Sequence, residues 1–102
     1  IIQVVINNHV LGMVRQWQNL FYGERYSSTT LYDKVDFVKL AESYGAKGIR
    51  VTEKSEMKAA FEQAKANRAL KVPTLIEFML DPEVQVYPMV RPGGTLEDLL
   101  MD

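Results

Sequence analysis

In the first part of the chain, a continuous run of apolar residues gives way to apolar residues at helical spacing. This pattern predicts a strand followed by a helix. Residues 1–6 form a near-continuous β-branched run, a pattern typical of a strand buried on both faces. From Gly12 or Met13 to about Tyr22, apolar residues recur at helical spacing, and we expect Gly23 to end that helix. The predicted apolar stripe of the helix consists of Met13, Trp17, Leu20 and Phe21.

The middle of the chain repeats this alternation of helices and strands. Residues 33–44 and 54–68 predict two further helices, and residues 48–51 and 72–80 predict two further strands. The apolar face of the first of these helices is predicted to be Phe37, Leu40, Ala41 and Tyr44. The face of the second is predicted to be Met57, Ala60, Phe61 and Ala64.

The C-terminal segment predicts a constrained loop and then a helix. The stretch VYPMVRPGG contains two prolines and two glycines. Its Tyr87 and Arg91 are compatible either with a lid over a site or with a rigid strap across the domain. Thr95 is predicted to cap a short last helix, with Asp98 at the capping-box position. The apolar residues of that helix would be Leu96, Leu99 and Leu100.

Strands that alternate with helices predict one α/β domain over residues 1–102. Its architecture would be a three-layer α/β/α arrangement around a mostly parallel sheet. Ligands of such sheets bind beyond the carboxyl ends of the strands. Asn7, Asn8 and His9 follow the first predicted strand and therefore lie where a ligand is expected.

Composition narrows the class of protein without identifying it. The 102-residue chain has a formal net charge of −1 and no cysteine. A charge near zero argues against binding nucleic acid or an anionic membrane, and the lack of cysteine excludes disulfides and thiolate metal sites. No apolar run approaches the length of a membrane span. Because the chain opens directly on an apolar strand, we expect it to be a piece of a longer enzyme, incomplete at its N-terminal side.

Three candidate sites each have two interpretations that the residues alone leave open. Asn7-Asn8-His9 fits an amide ligand set for Mg²⁺ but equally fits a turn in which side chains satisfy backbone groups. Met13 and Trp17 fit either a core stripe or a pocket wall. The segment YGERYSSTT, residues 22–30, is interpreted by default as a solvated loop.

Complete catalytic motifs are absent from the sequence. It contains no glycine-rich phosphate loop, no Ser-His-Asp arrangement in a suitable context and no paired loop carboxylates. The chain is therefore either a non-catalytic α/β binding or interaction module or one part of a site that other residues complete.

The segment INNHVLGMVRQWQNLFY, residues 6–22, resembles the end of the thiamine diphosphate motif in catalytic subunits of acetolactate synthase. The resemblance continues through DFVKLAESYGAKGIRVT and VYPMVRPGG, and so covers essentially the whole chain. An asparagine pair alone resembles the end of this motif in thiamine-dependent enzymes in general. The GMVRQW run resembles the biosynthetic acetolactate synthases more closely than the catabolic ones.

The resemblance implies a role for each residue that matches the family motif. The side chain of Asn8 and the main-chain carbonyl of Val10 would bind Mg²⁺, which bridges the diphosphate of the cofactor. His9 would have no catalytic role. Further cofactor contacts would come from Leu11, Gly12 and Met13. The substrate and inhibitor pocket would be lined by Met13, Val14 and Trp17.

The resemblance also implies a reaction, partners and a location. Pyruvate would be decarboxylated on thiamine diphosphate, and the two-carbon unit would join pyruvate or 2-ketobutyrate in branched-chain amino-acid biosynthesis. Trp17 would favour 2-ketobutyrate and stack against sulfonylurea-type herbicides. The family further implies FAD bound outside these residues, a catalytic-subunit homodimer and a regulatory small subunit. It implies a location in the bacterial cytoplasm or, in a eukaryote, in an organelle. It implies neither nucleic acid nor a membrane as a partner.

One departure from the family motif concerns its start. The motif begins with Gly-Asp-Gly, whose aspartate binds the metal, and these 102 residues do not contain it. The glutamate that activates the cofactor is likewise placed further upstream in the family. We therefore expect the chain by itself to bind no thiamine diphosphate with useful affinity, to be inactive, and to self-associate through strand edges and apolar faces that lack cover.

Overall fold

The computed structural model describes residues 1–31 and 35–102. A parallel sheet is built from three strands, and a short antiparallel pair of strands lies near the C-terminus. In chain order the elements are β1 (Ile2–Asn7), α1 (Gly12–Phe21), α2 (Phe37–Ser43), β2 (Lys47–Val51), a 3₁₀ turn (Lys54–Glu56), α3 (Met57–Ala69), β3 (Thr74–Met79), β4 (Met89–Val90) and β5 (Leu99–Leu100).

The three-stranded sheet has the order β1-β3-β2, with both neighbours parallel to β3. Asn7 is paired with Met79, and Val51 is paired with Phe78. The carboxyl ends of all three strands consequently meet at one edge of the sheet. This confirms the predicted parallel sheet and places the Asn7-Asn8-His9 turn at the edge where ligands of such sheets bind.

One face of the sheet packs against α3. Ile76 and Phe78 alternate along β3 on this face, and they form the buried core with Ala60 and Ala64 of α3 and with Val51. The small alanine side chains let the helix lie close to the sheet, so Ile76 and Ala64 are fully buried. The predicted apolar face of α3 is confirmed for Ala60, Phe61 and Ala64, whereas Met57 is 39% exposed.

The opposite face of the sheet packs against α2, which makes three layers. Asp36 caps the helix, since its side chain accepts a hydrogen bond from the backbone N–H of Lys39. The helix therefore begins at Phe37 and not at the predicted residue 33. Asp33 and Lys34 lie outside the described residues. Of its predicted apolar face, Ala41 is buried, but Leu40 is 44% exposed. Tyr44 is 84% exposed, because α2 ends one residue before it.

Two sequence-based predictions about other strands and helices are wrong. Strand β1 is not buried on both faces, because it is an edge strand in the described part of the chain, and Ile6 is 60% exposed. The predicted last helix is instead the strand β5, because Leu99 and Leu100 pair with β4. Thr95 and Asp98 form only a turn, in which the Asp98 carboxylate accepts a hydrogen bond from the Thr95 backbone N–H.

Within the described residues, no helix has both the length and the apolar character needed to cross a membrane. The longest helix, α3, has 13 residues. A transmembrane helix needs about 20.

Replacing Gly48 by alanine should destabilise the protein, because β2 and α2 approach each other closely at this glycine. A Cβ at residue 48 would lie 2.7 Å from Cγ1 of Val38 and 2.9 Å from its Cα and carbonyl oxygen. Since two of these atoms belong to the backbone, the helix must move away. We expect Gly48→Ala to lower the free energy of unfolding by about 1–3 kcal/mol, measured by urea denaturation.

The matched control is Lys47→Ala on the same strand, which removes an exposed side chain. It should change the free energy of unfolding by no more than about 0.5 kcal/mol. Equal stability of the two variants would contradict the close-approach explanation.

Candidate functional site

The loop after β1 contains two consecutive turns that are closed by asparagine side chains. Oδ1 of Asn7 accepts a hydrogen bond of 3.0 Å from the backbone N–H of His9, and Oδ1 of Asn8 accepts one of 3.3 Å from the N–H of Val10. His9 has a φ of 58°, in the left-handed region that is costly for a residue with a Cβ. The two side chains thus hold the backbone in a strained turn at the ligand-binding edge.

A backbone bridge to residues 29–31 stabilises the far end of this turn. Val10 is buried and lies opposite Thr30. The bridge consists of a hydrogen bond from the Leu31 N–H to the His9 carbonyl, at 2.7 Å, and one from the Leu11 N–H to the Thr29 carbonyl, at 2.8 Å. The carbonyl of Val10 takes no part in these two bonds, so the bridge leaves that oxygen available to a ligand.

Gly12 begins α1 directly against the side chain of Asn8. A Cβ at residue 12 would lie 2.9 Å from Nδ2 of Asn8. A glycine is therefore required for the Asn8 amide to keep this position next to the helix. Leu11, immediately before it, is 46% exposed.

Helix α1 buries the polar residue Gln16 and exposes the first part of its apolar stripe. Gln16 is 4% exposed, and its amide makes two hydrogen bonds with the backbone of Val86, one in each direction, at 2.9 and 3.0 Å. On the exposed side, Met13, Val14 and Trp17 are 51%, 52% and 38% exposed. The interpretation of Met13 and Trp17 as core residues is therefore wrong for the described structure, and both are free to form a wall.

The segment that contains Tyr87 is fastened to α1, which favours the interpretation as a strap. Besides the bonds between Gln16 and Val86, the Gln16 amide donates to Sδ of Met89. Nη2 of Arg15 lies 2.5 Å from Oε1 of Glu83. The hydrogen bond to the carboxylate of Glu83 raises the pKa of Arg15.

The YGERYSSTT segment is exposed as predicted, except at Thr29. Thr29 is 2% exposed, and its hydroxyl donates to Oε1 of Gln18 at 2.9 Å. The guanidinium of Arg15 lies 3.9 Å from the ring centroid of Tyr26. The interpretation as a solvated loop is therefore confirmed for the exposed residues of the segment, whereas Thr29 packs on the polar side of α1.

A cleft of about 450 Å³ opens at the carboxyl edge of the sheet, on the α2 side, and contains a charged network. Glu77 is 1% exposed in the central strand. Its Oε1 accepts from Nδ2 of Asn7 at 2.7 Å, and its Oε2 accepts from Nε of Arg50 at 2.8 Å. Nη2 of Arg50 also donates to Oδ1 of Asp36 at 2.8 Å. The other residues that line the cleft are His9, Val35, Thr52 and Met79.

Sequence reasoning missed this network, although one signal was present. Glu77 interrupts the apolar stretch TLIEFM, and an acidic residue inside a buried strand needs a partner. The network also shifts the pKa values of Asp36 and Arg50. The backbone N–H of Lys39, and then Arg50, lower the pKa of Asp36, while Glu77 raises the pKa of Arg50.

The chain offers Mg²⁺ an incomplete set of ligands. In residues 1–31 and 35–102, no group of three or more His, Cys, Asp and Glu side chains is arranged to hold a metal ion. The amide oxygen of Asn8 and the carbonyl oxygen of Val10 are neutral donors, and Mg²⁺ favours oxygen ligands that include a carboxylate or phosphate. The two donors fit part of a magnesium site that needs anionic oxygens from elsewhere.

Comparison with known proteins defines the class to which this chain belongs. Residues 1–78 match the family described as the C-terminal TPP (thiamine pyrophosphate) binding domain of thiamine pyrophosphate enzymes. The chain is a member of that family, and its relatives specify the branch. It is homologous to acetolactate synthase large subunits, which confirms the resemblance seen in the sequence.

Relatives come from archaea, bacteria and eukaryotes. The chain is 43% identical over 96 residues to a probable acetolactate synthase large subunit of Methanocaldococcus jannaschii, covering 94% of this chain. It is 40% identical over 97 residues both to the acetolactate synthase isozyme 2 large subunit of Escherichia coli and to the mitochondrial acetolactate synthase catalytic subunit of Saccharomyces cerevisiae, each time covering 95% of this chain. The matched part is 16%, 17% and 14% of these three proteins, respectively.

The lowered pKa of Asp36 predicts a pH-dependent contribution to stability. A carboxyl group whose pKa is lower in the folded state stabilises the fold above its unfolded pKa, which is about 3.9 for Asp. That contribution is lost as pH falls through the folded value. We expect Asp36→Asn to lower the urea midpoint at pH 7 and to lower it much less at pH 3.

Asp102→Asn, at the exposed end of the chain, serves as the control and should change neither midpoint. A difference between Asp36→Asn and the unsubstituted protein that stays constant from pH 7 to pH 3 would contradict this role of the Asp36 carboxylate.

Proposed function

We propose that residues 1–102 form part of the thiamine diphosphate site of an acetolactate synthase. Such an enzyme decarboxylates pyruvate and joins the two-carbon unit to pyruvate or 2-ketobutyrate. The observation that carries the proposal is the 40–43% identity to acetolactate synthase large and catalytic subunits across nearly the whole chain. The chain spans about a sixth of the length of these relatives, and the activity therefore belongs to a larger set of residues.

The metal would be held by the amide oxygen of Asn8 and the main-chain carbonyl of Val10. Two observations support this. Asn8 and Val10 lie at the carboxyl edge of the sheet, and the bridge between Val10 and Thr30 leaves the Val10 carbonyl oxygen available. When bound, thiamine diphosphate supplies the electron sink for decarboxylation and carbon–carbon bond formation. Leu11, Gly12 and Met13 would contact the cofactor at the start of α1.

The exposed stripe of α1 would form the wall that contacts the side chain of the second 2-keto acid. Met13, Val14 and Trp17 present apolar surface that no other part of the described chain covers. The ring of Trp17 is held edge-to-face against Phe21, with 6.1 Å between centroids. A flat apolar wall favours the one extra methylene of 2-ketobutyrate by about 1 kcal/mol or somewhat more.

The surface of the chain supports association with further protein. The chain exposes 7577 Å² and has a radius of gyration of 17.2 Å. A compact monomer of this mass exposes about 5900 Å², and its radius of gyration is about 13 Å. We propose that a catalytic-subunit homodimer and a regulatory small subunit cover part of the excess, that FAD binds outside these residues, and that the isolated chain self-associates.

A chimera tests the proposed function directly. Residues 1–102 would replace the homologous segment of the E. coli isozyme 2 large subunit, to which the chain is 40% identical. With thiamine diphosphate, Mg²⁺, FAD and the small subunit present, we expect the chimera to form acetolactate from pyruvate. Asn8→Ala should abolish most of this activity, because it removes a metal ligand.

Asn19→Ala on α1 is the matched control, since the side-chain amide of Asn19 donates to the hydroxyl of Tyr26, away from the asparagine turn. It should leave acetolactate formation unchanged. A chimera that folds and yet is inactive, or an Asn8→Ala variant with full activity, would contradict the proposal. The isolated chain should show neither activity nor saturable thermal stabilisation by thiamine diphosphate with Mg²⁺.

Substitution of Trp17 tests the substrate wall. In the same chimera, we expect Trp17→Ala to reduce the preference for 2-ketobutyrate over pyruvate by about fivefold or more, the ratio that corresponds to about 1 kcal/mol. The measurement is product partitioning when the two 2-keto acids compete. Tyr44→Ala, an exposed aromatic residue just after α2, is the control and should leave the partitioning unchanged. An unaltered preference in Trp17→Ala would remove Trp17 from the wall.

A further inference from the structure

The turn that presents Asn8 and Val10 depends on the orientation of the preceding side chain, Asn7. The amide of Asn7 makes two hydrogen bonds. Its oxygen accepts from the His9 backbone N–H at 3.0 Å, and its nitrogen donates to the Glu77 carboxylate at 2.7 Å. A backbone N–H can only donate and an ionised carboxylate can only accept. Only one orientation of the Asn7 amide therefore satisfies both partners.

Glu77 is itself held in a fixed position. It lies in the central strand, is fully buried, and its second carboxylate oxygen accepts from Nε of Arg50 at 2.8 Å. Arg50 is anchored in turn by Asp36 at the start of α2. A buried carboxylate whose two oxygens both accept hydrogen bonds has little freedom to move. The orientation of Asn7 is thus determined by the middle of the sheet rather than by the loop.

We propose that Glu77 is a positioning residue for the metal-binding turn, because it orients Asn7 and thereby the backbone that presents the Asn8 amide and the Val10 carbonyl. This inference rests on the proposed function. It assigns Glu77 no contact with metal or cofactor. Its role resembles that of groups that hold metal ligands in orientation from the next layer of residues, whose loss typically weakens metal binding by about 10–100-fold.

The test measures Mn²⁺, which can replace Mg²⁺ in oxygen-ligand sites, by electron paramagnetic resonance. The chimera described above is titrated with Mn²⁺ at saturating thiamine diphosphate. We expect Glu77→Gln to raise the Mn²⁺ dissociation constant by about tenfold or more, because a glutamine amide can present either a donor or an acceptor to Asn7. In an Asn7→Ala background, Glu77→Gln should cause no additional increase, since its effect passes through Asn7.

Glu56→Gln separates positioning from general stability. The Glu56 carboxylate accepts backbone hydrogen bonds from Thr52 and Glu53 at the start of the 3₁₀ turn, at 2.9 and 3.0 Å. This variant loses a charge and should lower the melting temperature, but it should leave the Mn²⁺ dissociation constant unchanged. Parallel changes in melting temperature and Mn²⁺ affinity across both variants would show a structural effect only.

Each outcome bears on one proposal. An unsubstituted chimera that binds no Mn²⁺ contradicts the proposed function, and the positioning role falls with it. If the chimera binds Mn²⁺ and Glu77→Gln leaves the dissociation constant unchanged, the positioning role alone is overturned. It is also overturned if Glu77→Gln raises the dissociation constant as much in the Asn7→Ala background as in the unsubstituted chimera. If Glu77→Gln does not fold, Asn7→Ala on the edge strand tests the same link, and unchanged Mn²⁺ affinity in that variant overturns the proposal.

Discussion

The carboxylate of Glu77 is buried in the central strand of the parallel sheet, where an unpaired charge would be strongly unfavourable. Its partners come from both neighbouring strands, Asn7 from β1 and Arg50 from β2. Arg50 extends the network to Asp36, which caps α2. One charge thus couples the register of three strands to the start of a helix, and the strands can satisfy it only when they pair as observed.

The parallel arrangement explains why the candidate site forms at one edge. The three carboxyl ends meet there, and the opposite faces of the sheet are covered by α3 and α2. The side next to α3 is filled by small and apolar residues, whereas the side next to α2 contains the charged network. A backbone that leaves β1 at this edge needs a turn, and the side chains of two asparagines close it. The amide of Asn7 also donates to Glu77.

Helix α1 shows how a distant segment can reverse the burial of an amphipathic helix. Gln16 is buried because its amide both donates to the Val86 carbonyl and accepts from the Val86 N–H, as the backbone of a neighbouring strand does. The segment around Val86 therefore contacts the polar side of α1. The apolar side, with Met13 and Trp17, is left exposed next to the asparagine turn. This exposed apolar surface is what supports the proposal of a substrate wall on α1.

The sequence by itself determined the three strands of the parallel sheet, the helices α1 to α3 and the position of the asparagine turn, because period, capping and turn residues act over a few neighbouring positions. Only the tertiary structure decided that Leu99 and Leu100 pair as a strand, that α1 buries Gln16, and that Glu77 contacts Asn7 and Arg50. The partners of Glu77 lie 70 and 27 residues away along the chain. Backbone pairing and the neutralisation of a buried charge depend on such distant contacts, which local patterns do not specify.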